Sequence, residues 1–130
     1  MDGLQSKVVL VVEDDVSARA LVCRALRAKG YGVEEAADGL AASVLLGRMS
    51  RPPDLLICDI MMPTVDGFTL ARLVRRQSAL RSIPIIFLTA QTHADAVISA
   101  INLGVRHYVQ KPFSLKDLLA KVDQSLRPGS

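Results

Sequence analysis

The chain has 130 residues, 50% of them hydrophobic and 22% charged, with a mean hydropathy of +0.30. That is the length of one domain able to bury roughly two thirds of its surface, and the composition excludes a globally disordered segment. Sixteen basic against 13 acidic residues give +3, a balance that permits an acidic partner without arguing for one.

Aromatic residues make up only 4% and Trp is absent, so the core is expected from Val, Leu, Ile and Ala. Cys23 and Cys58 lie in apolar stretches, too few and too scattered for a disulfide framework or zinc site, and are expected as reduced thiols. No secretory h-region precedes them, and no apolar run approaches the roughly 18 residues needed to span a bilayer. A soluble cytoplasmic domain without a membrane partner is expected.

Val8 to Val12 is an unbroken aliphatic run, apolar on both faces, as a central parallel strand would be. The period then changes to helical: Ala18, Leu21, Val22, Ala25 and Leu26 form one stripe, with Gly30 placed to end it. The alternation recurs four times. A weaker strand covers Gly32 to Ala36, and a helix from about Asp38 turns Ala41, Val44 and Leu45 inward. Arg51, Pro52 and Pro53 mark a loop before strand Leu55 to Cys58. A third helix carries Leu70, Leu73 and Val74, and a fourth strand runs Ile83 to Leu88 with Pro84 tolerated at its start. Thr92 and Asp95 have capping-box spacing for a helix burying Ala94, Val97, Ile98 and Ile101. Tyr108 and Val109 make a short fifth strand, and Ser114 and Asp117 open a last helix with Leu115, Leu118, Leu119, Val122 and Leu126 on one stripe.

Five βα units predict an α/β fold, a doubly wound parallel sheet of five strands with helices on both faces. A single domain over 1–130 is expected, its core at about 7–126, with polar, loose ends and no output module within these residues.

In such a sheet ligands bind outside the carboxyl ends of the strands, so the residue after each apolar run is informative. Glu13, Asp14 and Asp15 follow the first strand, Asp59 ends the third, Thr89 and Ala90 follow the fourth, and Lys111 and Pro112 follow the fifth. Converging carboxylates repel each other unless a cation compensates, and the candidates are Lys111 and a divalent metal. All-oxygen ligation favours a hard ion, Mg2+ or Mn2+. A metal, a lysine and a threonine hydroxyl around one carboxylate make a place for a phosphoryl group, and Asp59 is the candidate nucleophile for an aspartyl phosphate.

Four ordered motifs carry a family resemblance: Val-Val-Glu-Asp-Asp at 11–15, Cys-Asp-Ile-Met-Met-Pro-Thr-Val-Asp-Gly at 58–67, Leu-Thr-Ala at 88–90 and Tyr-Val-Gln-Lys-Pro-Phe at 108–113. The chain resembles the receiver domains of two-component response regulators over about Lys7 to Leu126. The resemblance implies a flavodoxin-like three-layer (βα)5 fold with strand order 2-1-3-4-5, as in chemotaxis regulators. It implies Asp59 as phosphoacceptor, Asp14 as a direct metal ligand, Glu13 as the acid holding the metal's water, and Met61 as a backbone carbonyl ligand. Thr89 would bond the phosphoryl oxygens, Lys111 would pair with them, and Tyr108 would be the rotating aromatic of the switch. The Lys111–Pro112 bond is expected cis, and Asp15 is left to capping or solvent. A register using Asp14 and Asp15 as the acid pair would need a first strand one residue longer.

The implied partners are a sensor histidine kinase or phosphotransfer protein and a downstream effector domain or protein. The implied activity is that of a signalling switch, which promotes its own phosphotransfer and autodephosphorylation without being a turnover enzyme. It would be a monomer or a weak, phosphorylation-dependent dimer. Met61 and Gln91 occupy positions that vary in the family with dephosphorylation rate, and the loop Gly104-Val105-Arg106-His107 is more basic than in many members. The fourth-helix face Ala94, Ala96, Val97 and Ala100 lacks the charged pattern of one large transcription-factor subfamily, so its dimer is not expected.

Plainer readings stand beside these. An isolated acidic triplet is a solvated capping cluster, a lone Lys-Pro is a loop, Tyr108 alone is a core or edge aromatic, and Met61 and Met62 alone are packing residues. His93 and His107 lack metal-ligand spacing. A haloacid-dehalogenase-like hydrolase needs a second acid two residues after its nucleophile, where this chain has Met61. A flavodoxin-like FMN binder needs a Ser/Thr/Gly loop after the first strand. A pseudo-receiver acting only as a docking module conflicts with the intact set Asp14, Asp59, Thr89 and Lys111. Arg72, Arg75, Arg76 and Arg81 cluster around the third helix without aromatic platforms, which suits a solvated or kinase-docking face better than direct nucleic-acid binding.

Overall fold

The computed structural model describes residues 7–90 and 94–127. Five strands, β1 (Val8–Val12), β2 (Gly32–Ala36), β3 (Leu55–Asp59), β4 (Ile85–Thr89) and β5 (His107–Gln110), alternate with helices α1 (Val16–Ala28), α2 (Gly39–Arg48), α3 (Gly67–Arg76), α4 (Ala94–Asn102) and α5 (Leu115–Leu126). All pairings are parallel and the order is β2-β1-β3-β4-β5, as the resemblance implied. Among the described residues no helix is long and apolar enough to cross a membrane.

The period-2 geometry of the strands divides the core. Leu10, Val12, Leu56, Cys58, Ile85 and Phe87 point into a cluster with Ala42, Leu70, Ala71, Val74 and Ala100, on the side of α2, α3 and α4. Val9, Val11, Leu55, Ile57, Ile86 and Leu88 point the other way, against Val22, Cys23, Leu26, Leu118 and Val122 of α1 and α5. Burial on both faces is why the strands read as unbroken apolar runs.

Local chemistry fixes the helix starts. Asp15, Asp38, Asp66 and Ser114 are N-caps whose side chains accept from the amides of Ser17, Ala41, Thr69 and Asp117. Asp54 Oδ2 accepts from the Val8 amide at 2.8 Å, tying the loop before β3 to the start of β1.

Several helix stripes are rotated from the sequence expectation. In α1, Leu21 is exposed and Cys23 is buried; in α2, Ala41 and Val44 are exposed while Gly39 and Ala42 are buried. In α4, Ile98 and Ile101 are exposed and Ala100 is buried; in α3, Leu73 is partly exposed and Ala71 takes the inward place. These helices are apolar on more than one side, and Gly39, Ala42, Ala71 and Ala100 share the inward faces of α2, α3 and α4, where small residues let the helix axis approach the sheet closely. The fourth strand begins at Ile85, two residues later than expected, because the Ile83 amide bonds to Leu80 O in the preceding turn. Gln91, Thr92 and His93 lie outside the described residues, and so does the Thr92 cap.

Candidate functional site

The carboxyl ends of β1, β3, β4 and β5 meet at one edge, and each delivers a polar group there. The Glu13 amide continues the β1–β2 ladder by donating to Ala36 O at 3.2 Å, so its side chain is held rigidly and is fully buried. Asp14, one residue further, is exposed. Asp15 turns away to cap α1, so the first strand ends at Val12 and the register pairing Asp14 with Asp15 is not the one adopted.

Asp59 closes β3 and is 5% exposed. It follows Leu55 and Ile57 by even steps, which sets it on the α1/α5 side of the sheet. The chain then turns sharply into α3, and Gly67 makes that turn possible: a Cβ there would lie 2.6 Å from Asp59 O and 2.8 Å from Ile60 Cα. Thr89 ends β4, almost fully buried, and its carbonyl accepts from the Lys111 amide at 2.7 Å. The Lys111–Pro112 peptide bond is cis. Lys111 Nζ reaches across to donate to Glu13 Oε1 at 2.6 Å and Asp59 Oδ2 at 2.9 Å.

One ammonium thus faces three carboxylates. Burial works against the charged form of Lys111, but its bonds to Glu13 and Asp59 prevail and raise its pKa above the ordinary value. Asp14 is held above the usual carboxylate value by partial burial and then by its hydrogen bond to Glu13. Carboxylate oxygens of Glu13, Asp14 and Asp59 all lie within 4.8 Å of one another. An all-oxygen set carrying more negative charge than one lysine can balance fits a hard divalent cation.

Met61 stands in the loop after β3, 59% exposed, and Tyr108 lies on the edge strand β5 opposite Phe87, 37% exposed. Sequence reasoning missed two contributors. The Glu13–Lys111 pair joins residues 98 apart, and no local pattern announces it. Arg19 also braces the site, donating from Nη1 to Glu13 O at 2.8 Å while its Nε meets Glu35 Oε1 at 3.3 Å.

The model of the response regulator receiver domain matches residues 9–123. The chain belongs to that family. Among relatives of this receiver domain, the transcriptional regulatory protein RprY of Bacteroides fragilis is 40% identical over 119 residues, 92% of this chain and 49% of that protein. The DNA-binding dual master transcriptional regulator RpaA of Synechocystis is 35% identical over 92% of this chain and 48% of its own length. The chain therefore spans about half the length of these curated relatives. Among solved structures, the chemotaxis protein CheY4 of Vibrio cholerae superposes with a TM-score of 0.87 at 33% identity, covering 94% of this chain and all of that one. The receiver domain of sensor histidine kinase PA1611 from Pseudomonas aeruginosa, solved with magnesium in its active-site cleft, gives 0.82 at 29% identity over 94% and 98% of the two chains.

Proposed function

We propose that this receiver domain, read as one domain over 1–130, accepts a phosphoryl group on Asp59 from a histidine kinase or phosphotransfer protein and signals by a change of surface. The observation that carries the reading is the Lys111 ammonium held 2.9 Å from Asp59 Oδ2 and 2.6 Å from Glu13 Oε1 at the strand edge. The donor set suits magnesium: Asp14, Asp59 and the Met61 carbonyl would hold it, and Glu13 would hold its water. Bound magnesium supplies positive charge against the phosphoryl oxygens.

The chain's own residues do the rest. An Asp59 oxygen attacks phosphorus, a new P–O bond forms, and the P–N bond of the donor phosphohistidine breaks with its electron pair returning to the imidazole. Lys111 is already positioned to follow the charge from Asp59 onto the phosphoryl group. Thr89, tied to Lys111 through the backbone, supplies a hydroxyl donor to the new dianion. Its inward movement opens space for Tyr108 to turn, repacking the α4/β5/α5 face. The exposed Ile98, Ile101 and Tyr108 lie on those elements, where an effector domain or protein would dock. The domain acts as a cytoplasmic signalling switch, promoting its own phosphotransfer and dephosphorylation rather than turning over a substrate.

Incubation with acetyl phosphate and magnesium is expected to add one phosphoryl mass to the intact chain and none to Asp59→Asn. An unchanged wild-type mass, or equal labelling of the variant, overturns the reading.

A further inference from the structure

The opposite edge of the sheet, where β4 and β5 begin, holds a cavity of about 300 Å3 lined by Arg75, Arg81, Gly104, Arg106, His107 and Ser125 among others, with no carboxylate in its wall. Among the described residues none of the three arginines forms an ion pair. Arg75 is half-buried rather than the solvated side chain expected from its place in a basic cluster. Its Nε donates to Leu103 O at 2.8 Å and its Nη1 to Arg81 O at 3.0 Å and Ile83 O at 2.7 Å. These neutral acceptors fix the guanidinium without balancing its charge, and burial lowers its pKa. The neighbouring His107 is likewise pushed below its ordinary value, by burial first and then by Lys121 and Arg106.

A structural staple joining α3 to the end of α4 would account for the Arg75 bonds. Ser125 is 8% exposed, and its Oγ, the one buried side-chain polar atom among the described residues with no hydrogen-bond partner, is closed to a molecule in the cavity. The staple leaves unexplained why Arg81 and Arg106 line the same wall with no carboxylate among the lining residues. Gly104, at φ +72°, holds a left-handed backbone conformation in the cavity wall that L side chains rarely adopt.

We propose that this cavity binds an oxyanion of the phosphate class, free or as the phosphate end of a nucleotide, through the guanidinium groups of its arginines. Forks of N–H donors with no carboxylate beside them match a tetrahedral dianion, and the volume lies at the lower end for small-ligand sites.

The test is an amide NMR titration of the metal-free full chain at constant ionic strength, with pyrophosphate and separately with ADP. Saturable shifts are expected at Ile83, Gly104, Arg106, His107 and Ser125, and they should persist in Asp59→Asn, which separates this site from the carboxylate edge. Arg106→Glu should weaken binding at least about 10-fold, the cost of exchanging a charge-assisted bond for repulsion. Tighter binding of ADP than of pyrophosphate assigns the nucleotide as source; equal binding assigns the free anion. The absence of saturable shifts for both probes overturns the proposal. So do shifts confined to Glu13, Asp59 and Lys111, or unchanged binding by Arg106→Glu.

Discussion

Lys111 and Glu13, 98 residues apart in the chain, meet at 2.6 Å with the glutamate side chain wholly buried. A carboxylate removed from water must be compensated, and here one ammonium compensates both Glu13 and Asp59. Lys111→Met should therefore destabilise the metal-free domain by about 1–3 kcal/mol, less than the roughly 3–5 of a fully buried pair because the lysine keeps some exposure. Adding Glu13→Gln should recover part of that loss. Urea unfolding of the single and double variants measures the coupling, and strictly additive losses would show that the pair is not energetically joined.

Divalent metal should stabilise the fold through the same carboxylates. Magnesium at about 100 times its dissociation constant is expected to add about 2.7 kcal/mol, seen as a raised thermal midpoint. Asp14→Asn should largely remove that gain while leaving the metal-free midpoint equal or higher, since it relieves repulsion from Glu13. A magnesium-induced shift of equal size in the variant would take Asp14 out of the donor set.

Gly67 has no room for a side chain: its Cβ would stand 2.6 Å from Asp59 O and 2.8 Å from Ile60 Cα, both backbone atoms. Gly67→Ala should cost about 1–3 kcal/mol, because the start of α3 must shift from β3. Since the displaced backbone carries Asp59, phosphorylation by acetyl phosphate should slow as well. Denaturant melts and a phosphorylation time course test the two effects, and unchanged values in both would show that the turn has slack.

The two thiols give a pH dependence. Burial pushes Cys23 up to about 11 and Cys58 well above the ordinary thiol value. In the unfolded chain both ionise near the free-thiol value of about 8.5. Above that pH the unfolded state binds fewer protons than the native one, so stability falls as pH rises from about 9 toward 11. Iodoacetamide should label neither thiol at pH 7.5 without denaturant. A stability profile that does not flatten between pH 9 and 11 when both cysteines are replaced by alanine would contradict this.

What the sequence made legible followed from short-range geometry. The unbroken run Val8 to Val12 and the acids after it located both a central strand and its functional end, since strand period and strand terminus are local properties. The faces of α1, α2 and α4 were less legible. In α4, Ile98 and Ala100 compete for the same inward place, and the smaller residue wins because contact with the sheet rewards close approach over bulk. The Glu13–Lys111 pair and the orphaned Ser125 hydroxyl could not be seen, because both depend on distances between segments that only the closed sheet brings together.

The central claim is tested most directly by locating the phosphoryl group itself. Borohydride reduces an aspartyl phosphate to homoserine, so reduction after treatment with acetyl phosphate and magnesium, followed by peptide mass mapping, marks the acceptor. The account requires homoserine at position 59, in the tryptic peptide that runs from Met49 to Arg72. Homoserine at Asp14 or Asp54 instead, or full phosphorylation with position 59 unchanged, would contradict it.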